Sequence, residues 1–164
     1  MSKADPESLI AELEQHRNEQ TYYYEIREWD RLPNWGDRTP VERAARFIFL
    51  NRTCFNGLYR VNRNGHFNVP FGRYRNPTIV KPENILAVSD FLNRRPIVKL
   101  TSSDYLNCTK GVKAGDFVYF DPPYDPVSET ASFTAYSGEG FSWEDQIALR
   151  DEAVRLVRLG ATVL

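Results

Sequence analysis

Four consecutive residues, Asp121-Pro122-Pro123-Tyr124, combine the groups needed to activate an amino nitrogen. An aryl amine is a poor nucleophile because its lone pair is delocalised into the ring. A carboxylate (Asp121) and a backbone carbonyl (Pro122) that accept its two hydrogens can hold that nitrogen pyramidal. The lone pair is then localised for in-line attack on an electrophilic methyl group. Two successive prolines fix the backbone and remove two N–H donors, leaving the Pro122 carbonyl as an acceptor. Tyr124 offers a ring on which a planar base can stack. The alternative is a proline-terminated strand followed by a surface turn. The apolar run before the tetrad and the basic, aromatic segment upstream weigh against it.

The elements around the tetrad fit that chemistry. Phe117-Val118-Tyr119-Phe120 reads as a short strand buried on both faces, entered by the turn Lys113-Ala114-Gly115-Asp116. Ser142 caps a helix with Asp145 three residues on; Leu149, Ala153, Leu156 and Val157 form its buried stripe and Gly160 ends it. Ala161 to Leu164 begins another strand, and Pro96 to Leu100 reads as an earlier one. Strand, loop, helix, strand is one unit of a parallel α/β sheet. Ligands in such sheets sit at the carboxyl ends of strands, which is where Asp121 leaves.

The first half of the chain is helical and then irregular. Asp5-Pro6 starts a helix with Leu9, Ile10 and Leu13 on one face. Tyr22 to Arg27 does not decide between helix and strand, and core packing is its plainest role. Thr39-Pro40-Val41-Glu42 is a capping box whose helix runs to about Leu50. From Asn51 to Tyr74 the helical period breaks. Asn56-Gly57 and Asn64-Gly65, pairs suited to positive φ, surround Leu58 to Val61 and Phe67 to Val69, which predicts a hairpin or knotted loop. Lys81-Pro82-Glu83-Asn84 opens a further helix to about Asn93.

Composition is that of an ordinary globular domain, with 13% aromatic and 26% charged residues. The apolar runs are too short to span a bilayer and the first residues lack a signal core, so the expectation is a cytoplasmic protein with no membrane partner. Cys54 and Cys108 with His16 and His66 supply no metal-ligand spacing. The net charge of −1 hides an asymmetry. Between Arg43 and Lys81 lie eight basic residues and no acidic one, leaving 13 basic and 22 acidic residues elsewhere. A one-sign run of this length is the footprint of a surface for a polyanion.

Taken together, these stretches resemble the Dam-type (D12 class) DNA adenine-N6 methyltransferases, those with the recognition region ahead of the catalytic tetrad. The resemblance covers nearly the whole chain from Tyr22. Its most specific parts are 51–62 (Asn51-Arg52-Thr53-Cys54-Phe55-Asn56-Gly57-Leu58-Tyr59-Arg60-Val61-Asn62), 67–74 (Phe67-Asn68-Val69-Pro70-Phe71-Gly72-Arg73-Tyr74), the 117–124 strand and tetrad, and Ser132-Phe133-Thr134-Ala135-Tyr136. It implies a partial Rossmann-like α/β core over 96–164 that uses S-adenosyl-L-methionine. Residues 1–95 would form an inserted helical and hairpin region that reads double-stranded DNA, with GATC the favoured target. Asp121, Pro122, Pro123 and Tyr124 would grip a flipped adenine. Arg52, Phe55, Asn56, Leu58, Arg60, Pro70 and Tyr74 would meet DNA, Phe55 and Asn56 at the opened stack and Arg60 at a guanine edge. For Phe55 and Tyr59 the alternative is packing within the hairpin. Asp104, with Asp121, would face the cofactor, and a solvated loop aspartate is the alternative for Asp104.

The family pattern also has an aromatic-x-Gly-x-Gly loop after its first strand, and no such pair precedes Tyr22. The sequence looks like the middle of a methyltransferase. The expected origins are a portion of a longer reading frame, a decayed gene, or a split enzyme whose cofactor loop comes from a separate chain. A DNA-binding fragment without catalysis is the rival function. Cytosine N4 or a protein glutamine are rival substrates, the second opposed by the basic segment.

Overall fold

Proline at a first helical turn leaves no N–H unbonded and brings a φ already set for the helix, and three helices of this chain begin that way. The structure is a computed structural model, described for residues 5–94, 98–123 and 141–164. Its helices are α1 (Pro6–Glu14), α2 (Gln20–Glu28), α3 (Pro40–Thr53), α4 (Pro82–Asn93), α5 (Tyr105–Thr109) and α6 (Trp143–Leu159), with strands β1 (Phe117–Val118) and β2 (Thr162–Val163). They fall into two units, Met1–Val98 and Lys99–Leu164.

In the first unit, local signals set the helices and the aromatic residues hold them together. Asp5 accepts from the Glu7 and Ser8 N–H groups and starts α1. The Thr39 capping box forms as expected, with Thr39 Oγ1 accepting from Glu42 N–H and Glu42 from Thr39 N–H. Such a cap contributes about 1 kcal/mol. The helix it opens runs to Thr53, one turn past the expected end. Tyr22 to Arg27 is helical, because one helical face of α2 buries both Tyr23 and Ile26. Leu13 of α1, Ala45, Phe49 and Leu50 of α3, and Phe67 and Val69 of the following loop complete the core.

Between α3 and α4 the chain makes a two-armed excursion. Isolated antiparallel bridges Cys54↔Phe71 and Val61↔Phe67 join its arms, with no continuous ladder. A short 3₁₀ turn, Phe55–Gly57, carries Asn56 and Gly57 at φ 53° and 60°, as the Asn-Gly pair predicts. The arms approach so closely at Gly72 that a β-carbon there would lie 2.6 Å from the Cys54 carbonyl oxygen.

The second unit holds a parallel pair of strands, with α6 between them in chain order. Asp145 and Ser142 form a capping box at the start of α6, and Gly160 at φ 95° ends it. Three sequence expectations fail here. Phe117 and Tyr119 are 63% and 62% exposed, whereas Val118 and Phe120 are half-buried. Side chains alternate across a strand, and the described residues cover only one face. Val157 is also exposed. The buried stripe of α6 centres on Glu152 and Leu156, and Val157 lies about 100° further round. The strand expected over Pro96 to Leu100 is not formed by Val98, Lys99 or Leu100, which pair with no strand among the described residues; Pro96 and Ile97 lie outside the described residues. No described helix is long and apolar enough to cross a membrane.

Candidate functional site

The β1 end is the first place where chemistry and geometry meet. Phe120 N–H donates to the Leu164 carbonyl at 2.8 Å, and the chain then leaves the ladder as Asp121-Pro122-Pro123, all exposed. Among the described residues the Asp121 carboxylate has no hydrogen-bond or ionic partner. Tyr124 and the stretch Ser132 to Tyr136 lie outside the described residues.

Asp104 reaches the same neighbourhood by another route. Its Oδ1 accepts from Leu106 N–H at 2.8 Å and caps α5, leaving the second carboxylate oxygen unused by that cap. The next residue, Tyr105, meets Phe120 edge to face at 6.0 Å, so the two acidic residues flank one ring contact. Burial raises the Tyr105 phenol, with Asp104, Asp145 and Glu152 adding to the effect. Behind this contact, Arg155 forks onto Glu152 at 2.7 and 2.8 Å. That fork, with the Thr109 hydroxyl, holds the Glu152 carboxyl at about 2. No described cluster of three or more His, Cys, Asp or Glu residues could hold a metal ion.

The second set of candidates lies on the excursion after α3. Phe55 and Pro70 are brought together, Phe55 N–H donating to the Pro70 carbonyl at 2.9 Å. Phe55 is 51% exposed, so packing within the loop does not account for it. Tyr59, by contrast, lies against Phe47 and Phe67, with ring centroids 5.5 and 5.8 Å away. Leu58 and Arg60 are exposed on alternate positions of one arm. Asn68 on the other arm orients Arg60, accepting from its Nε at 2.7 Å. Asn56 is exposed at the tip. Arg52 and Tyr74 meet in a groove of about 470 Å³ that also takes Arg75 and Lys81 from the basic run. None of these three cations is ion-paired among the described residues.

One member of the basic run is not part of any anion surface. Arg46 is buried, donating to the Ile26 and Arg27 carbonyls and pairing with Asp30 at 2.9 Å. Desolvation lowers the Arg46 guanidinium, partly offset by the Asp30 carboxylate. Asp30 also accepts from Phe67 N–H at 2.8 Å, and Arg31 donates to the Phe67 carbonyl. Tyr23 OH and Arg27 both reach the Val69 carbonyl, and Asn18 reaches that of Tyr74. Asn51 holds the Gly57 carbonyl at 2.7 Å. These clamps were not singled out in the sequence. The signal was available for one of them: an arginine beside Ala45 and before Phe49 on an apolar helix face is buried only with a partner.

Comparison with known proteins gives the family. Residues 1–158 match the family of D12 class N6 adenine-specific DNA methyltransferases. The chain is 48% identical to the Type II methyltransferase M1.LlaDCHI of Lactococcus lactis subsp. cremoris, covering 99% of this chain and 57% of that protein. It is 43% identical to the Type II methyltransferase M.MjaIII of Methanocaldococcus jannaschii, covering 99% and 58%. A DNA adenine methylase of Vibrio cholerae is 33% identical over 95% of this chain and 55% of its own length. The chain therefore spans rather more than half the length of these relatives. With Asp121-Pro122-Pro123 at a strand end, the basic aromatic excursion before it in the chain, and a family match over almost every residue, the chain belongs to the D12 class of N6 adenine-specific DNA methyltransferases.

Proposed function

We propose that the protein transfers a methyl group from S-adenosyl-L-methionine to adenine N6 in double-stranded DNA, with GATC the favoured target. Residues 1–95 serve as the recognition region and 96–164 as part of a Rossmann-like catalytic core. The observation that carries this reading is Asp121, an exposed carboxylate without a partner among the described residues, placed just past the last bond of a parallel strand pair.

Asp121 accepts one N6 hydrogen of the flipped adenine and the Pro122 carbonyl accepts the other. Tyr124 stacks on the base, and Pro123 keeps the turn rigid. The cofactor supplies an electrophilic sulfonium methyl; Asp104 and Asp121 favour its cationic end electrostatically. Asp121 would pass the surplus N6 proton on to solvent once the nitrogen is methylated. On the recognition side, Phe55 wedges into the stack beside Asn56, Leu58 and Arg60 approach base edges, and Pro70 supports the tip. Arg52 and Tyr74, with Arg75 and Lys81, line a groove whose charge suits backbone phosphate.

The test is transfer of labelled methyl to a GATC duplex, with binding measured on the same preparation. Transfer to adenine that Asp121→Ala abolishes while duplex binding survives supports the proposal. Salt-sensitive duplex binding with no transfer by the unaltered chain favours the rival, a binding fragment without catalysis. A cytosine product would overturn the substrate assignment.

A further inference from the structure

Between α3 and the excursion lies a partly enclosed cavity of about 160 Å³, lined by Trp35, Phe47, Tyr59 and Phe67 together with Asp30, Arg43 and Arg46. We propose that this cavity is a stacking site for one unpaired pyrimidine base, with Arg43 at its mouth for the attached phosphate. The target adenine has its own site at the tetrad, so this is a second base site. It rests on the reading of residues 1–95 as a nucleic-acid surface.

Size is the first argument. A cavity of about 150 Å³ accepts a single benzene ring, so this one matches a six-membered ring better than a fused purine. The walls are the second. Phe47 and Tyr59 stand 52% and 40% exposed with their rings 5.5 Å apart, and the Arg46 guanidinium lies 5.0 Å from the Trp35 ring centre. Bases stack on such aromatic and guanidinium surfaces whatever their sequence.

Polar capacity is the third argument. Arg46 uses Nε on the Ile26 carbonyl and Nη2 on the Arg27 carbonyl and Asp30. Its Nη1 donors have no partner among the described residues. Asp30 Oδ1 accepts from Arg31 Nη1 and retains a further lone pair. A pyrimidine edge presents both donors and acceptors to such a pair, whereas a phenyl side chain would leave them unmet. Arg43, one helical turn before Phe47, is exposed and carries no ion pair among the described residues. That suits the phosphate of a nucleotide.

Free mononucleotides test the cavity without a duplex. The chain is titrated with dCMP, dTMP and dAMP by equilibrium dialysis and saturation-transfer NMR, and duplex binding is measured alongside by mobility shift. The pyrimidine nucleotides are expected to bind about tenfold more tightly than dAMP. Phe47→Ala and Tyr59→Ala, both at exposed rings, remove that preference. Arg43→Ala weakens the monophosphates and leaves the nucleosides unchanged. Equal binding of dAMP, no mononucleotide binding, or a preference that survives both ring variants overturns the proposal. Duplex binding without a pyrimidine preference overturns the cavity alone; loss of both removes the nucleic-acid reading as well.

Discussion

Tyr105 and Phe120 meet edge to face, their ring centres 6.0 Å apart and their planes at 85°. Asp104 precedes one ring and Asp121 follows the other, so the two acidic residues bracket this contact along the chain. Edge-to-face pairs contribute about 0.5–1.5 kcal/mol beyond their buried area. Tyr105→Ala should therefore loosen the start of α5 without unfolding the unit. The expected outcome is weaker S-adenosyl-L-methionine binding by calorimetry, restored by Tyr105→Phe. Unchanged affinity in Tyr105→Ala would remove the contact from any role in cofactor binding.

Asp30 carries a second prediction. It is the shared acceptor of Arg46, Arg31 and the Phe67 N–H, and its side chain is 11% exposed. Asp30→Ala leaves the Arg46 charge buried and unmatched, which should cost about 3–5 kcal/mol in chemical denaturation. Pairing that change with Arg46→Met removes the stranded charge and should recover part of the loss.

His16 predicts a pH dependence. Its ring is buried, stacked on Phe49 at 4.6 Å, with Nδ1 at 2.8 Å from the Tyr22 hydroxyl and Nε2 buried without a partner among the described residues. Burial depresses it from 6.5 to about 4. Between these values the unfolded chain takes up a proton that the folded chain refuses, so stability falls as pH drops from 6.5 to about 4. The total loss is about 3 kcal/mol, and stability is level above that window as far as this group is concerned. His16→Phe should flatten the dependence in melts recorded across the window. A slope identical to that of the unaltered chain would count against His16 as its source.

Arg52 and Arg60 should fail differently on DNA. Removing a phosphate contact weakens all duplexes alike and reduces the salt slope by about 1, the expectation for Arg52→Ala. Arg60 is oriented by Asn68, and its removal should narrow the gap between matched and singly mismatched duplexes by about 1–3 kcal/mol. Competition binding at several salt concentrations separates the two.

Local rules made much of the first unit legible. Asp5, Thr39 and the three helix-opening prolines each determine their own start, and Asn56-Gly57 determines its own turn. Tyr22 to Arg27 stayed ambiguous because its fate depends on Tyr23 reaching Val69, 46 residues away. Arg46 was counted with the anion surface for the same reason: Asp30, distant in sequence, decides that it is buried. In the second unit Phe117-Val118-Tyr119-Phe120 carried a strand signal. Burial of both faces, however, depends on layers that local apolar character does not supply. At the candidate site, the tetrad was readable as a motif, whereas the Tyr105–Phe120 contact that brings Asp104 beside it was not.

The clamps under the excursion share a property. Tyr23, Arg27, Arg31, Asn18 and Asn51 all grip main-chain carbonyls, those of Val69, Phe67, Tyr74 and Gly57, and Asp30 grips the main-chain N–H of Phe67. Every residue type has a carbonyl, and every one but proline an N–H. These bonds therefore place little demand on the exposed side chains at 55, 58 and 60, whereas Asn56 and Gly57 are held to positive φ and Tyr59 packs on Phe47 and Phe67. Those three exposed positions can change while the footing beneath them keeps the same bonds. Exposed side chains and scaffold are separable in this chain.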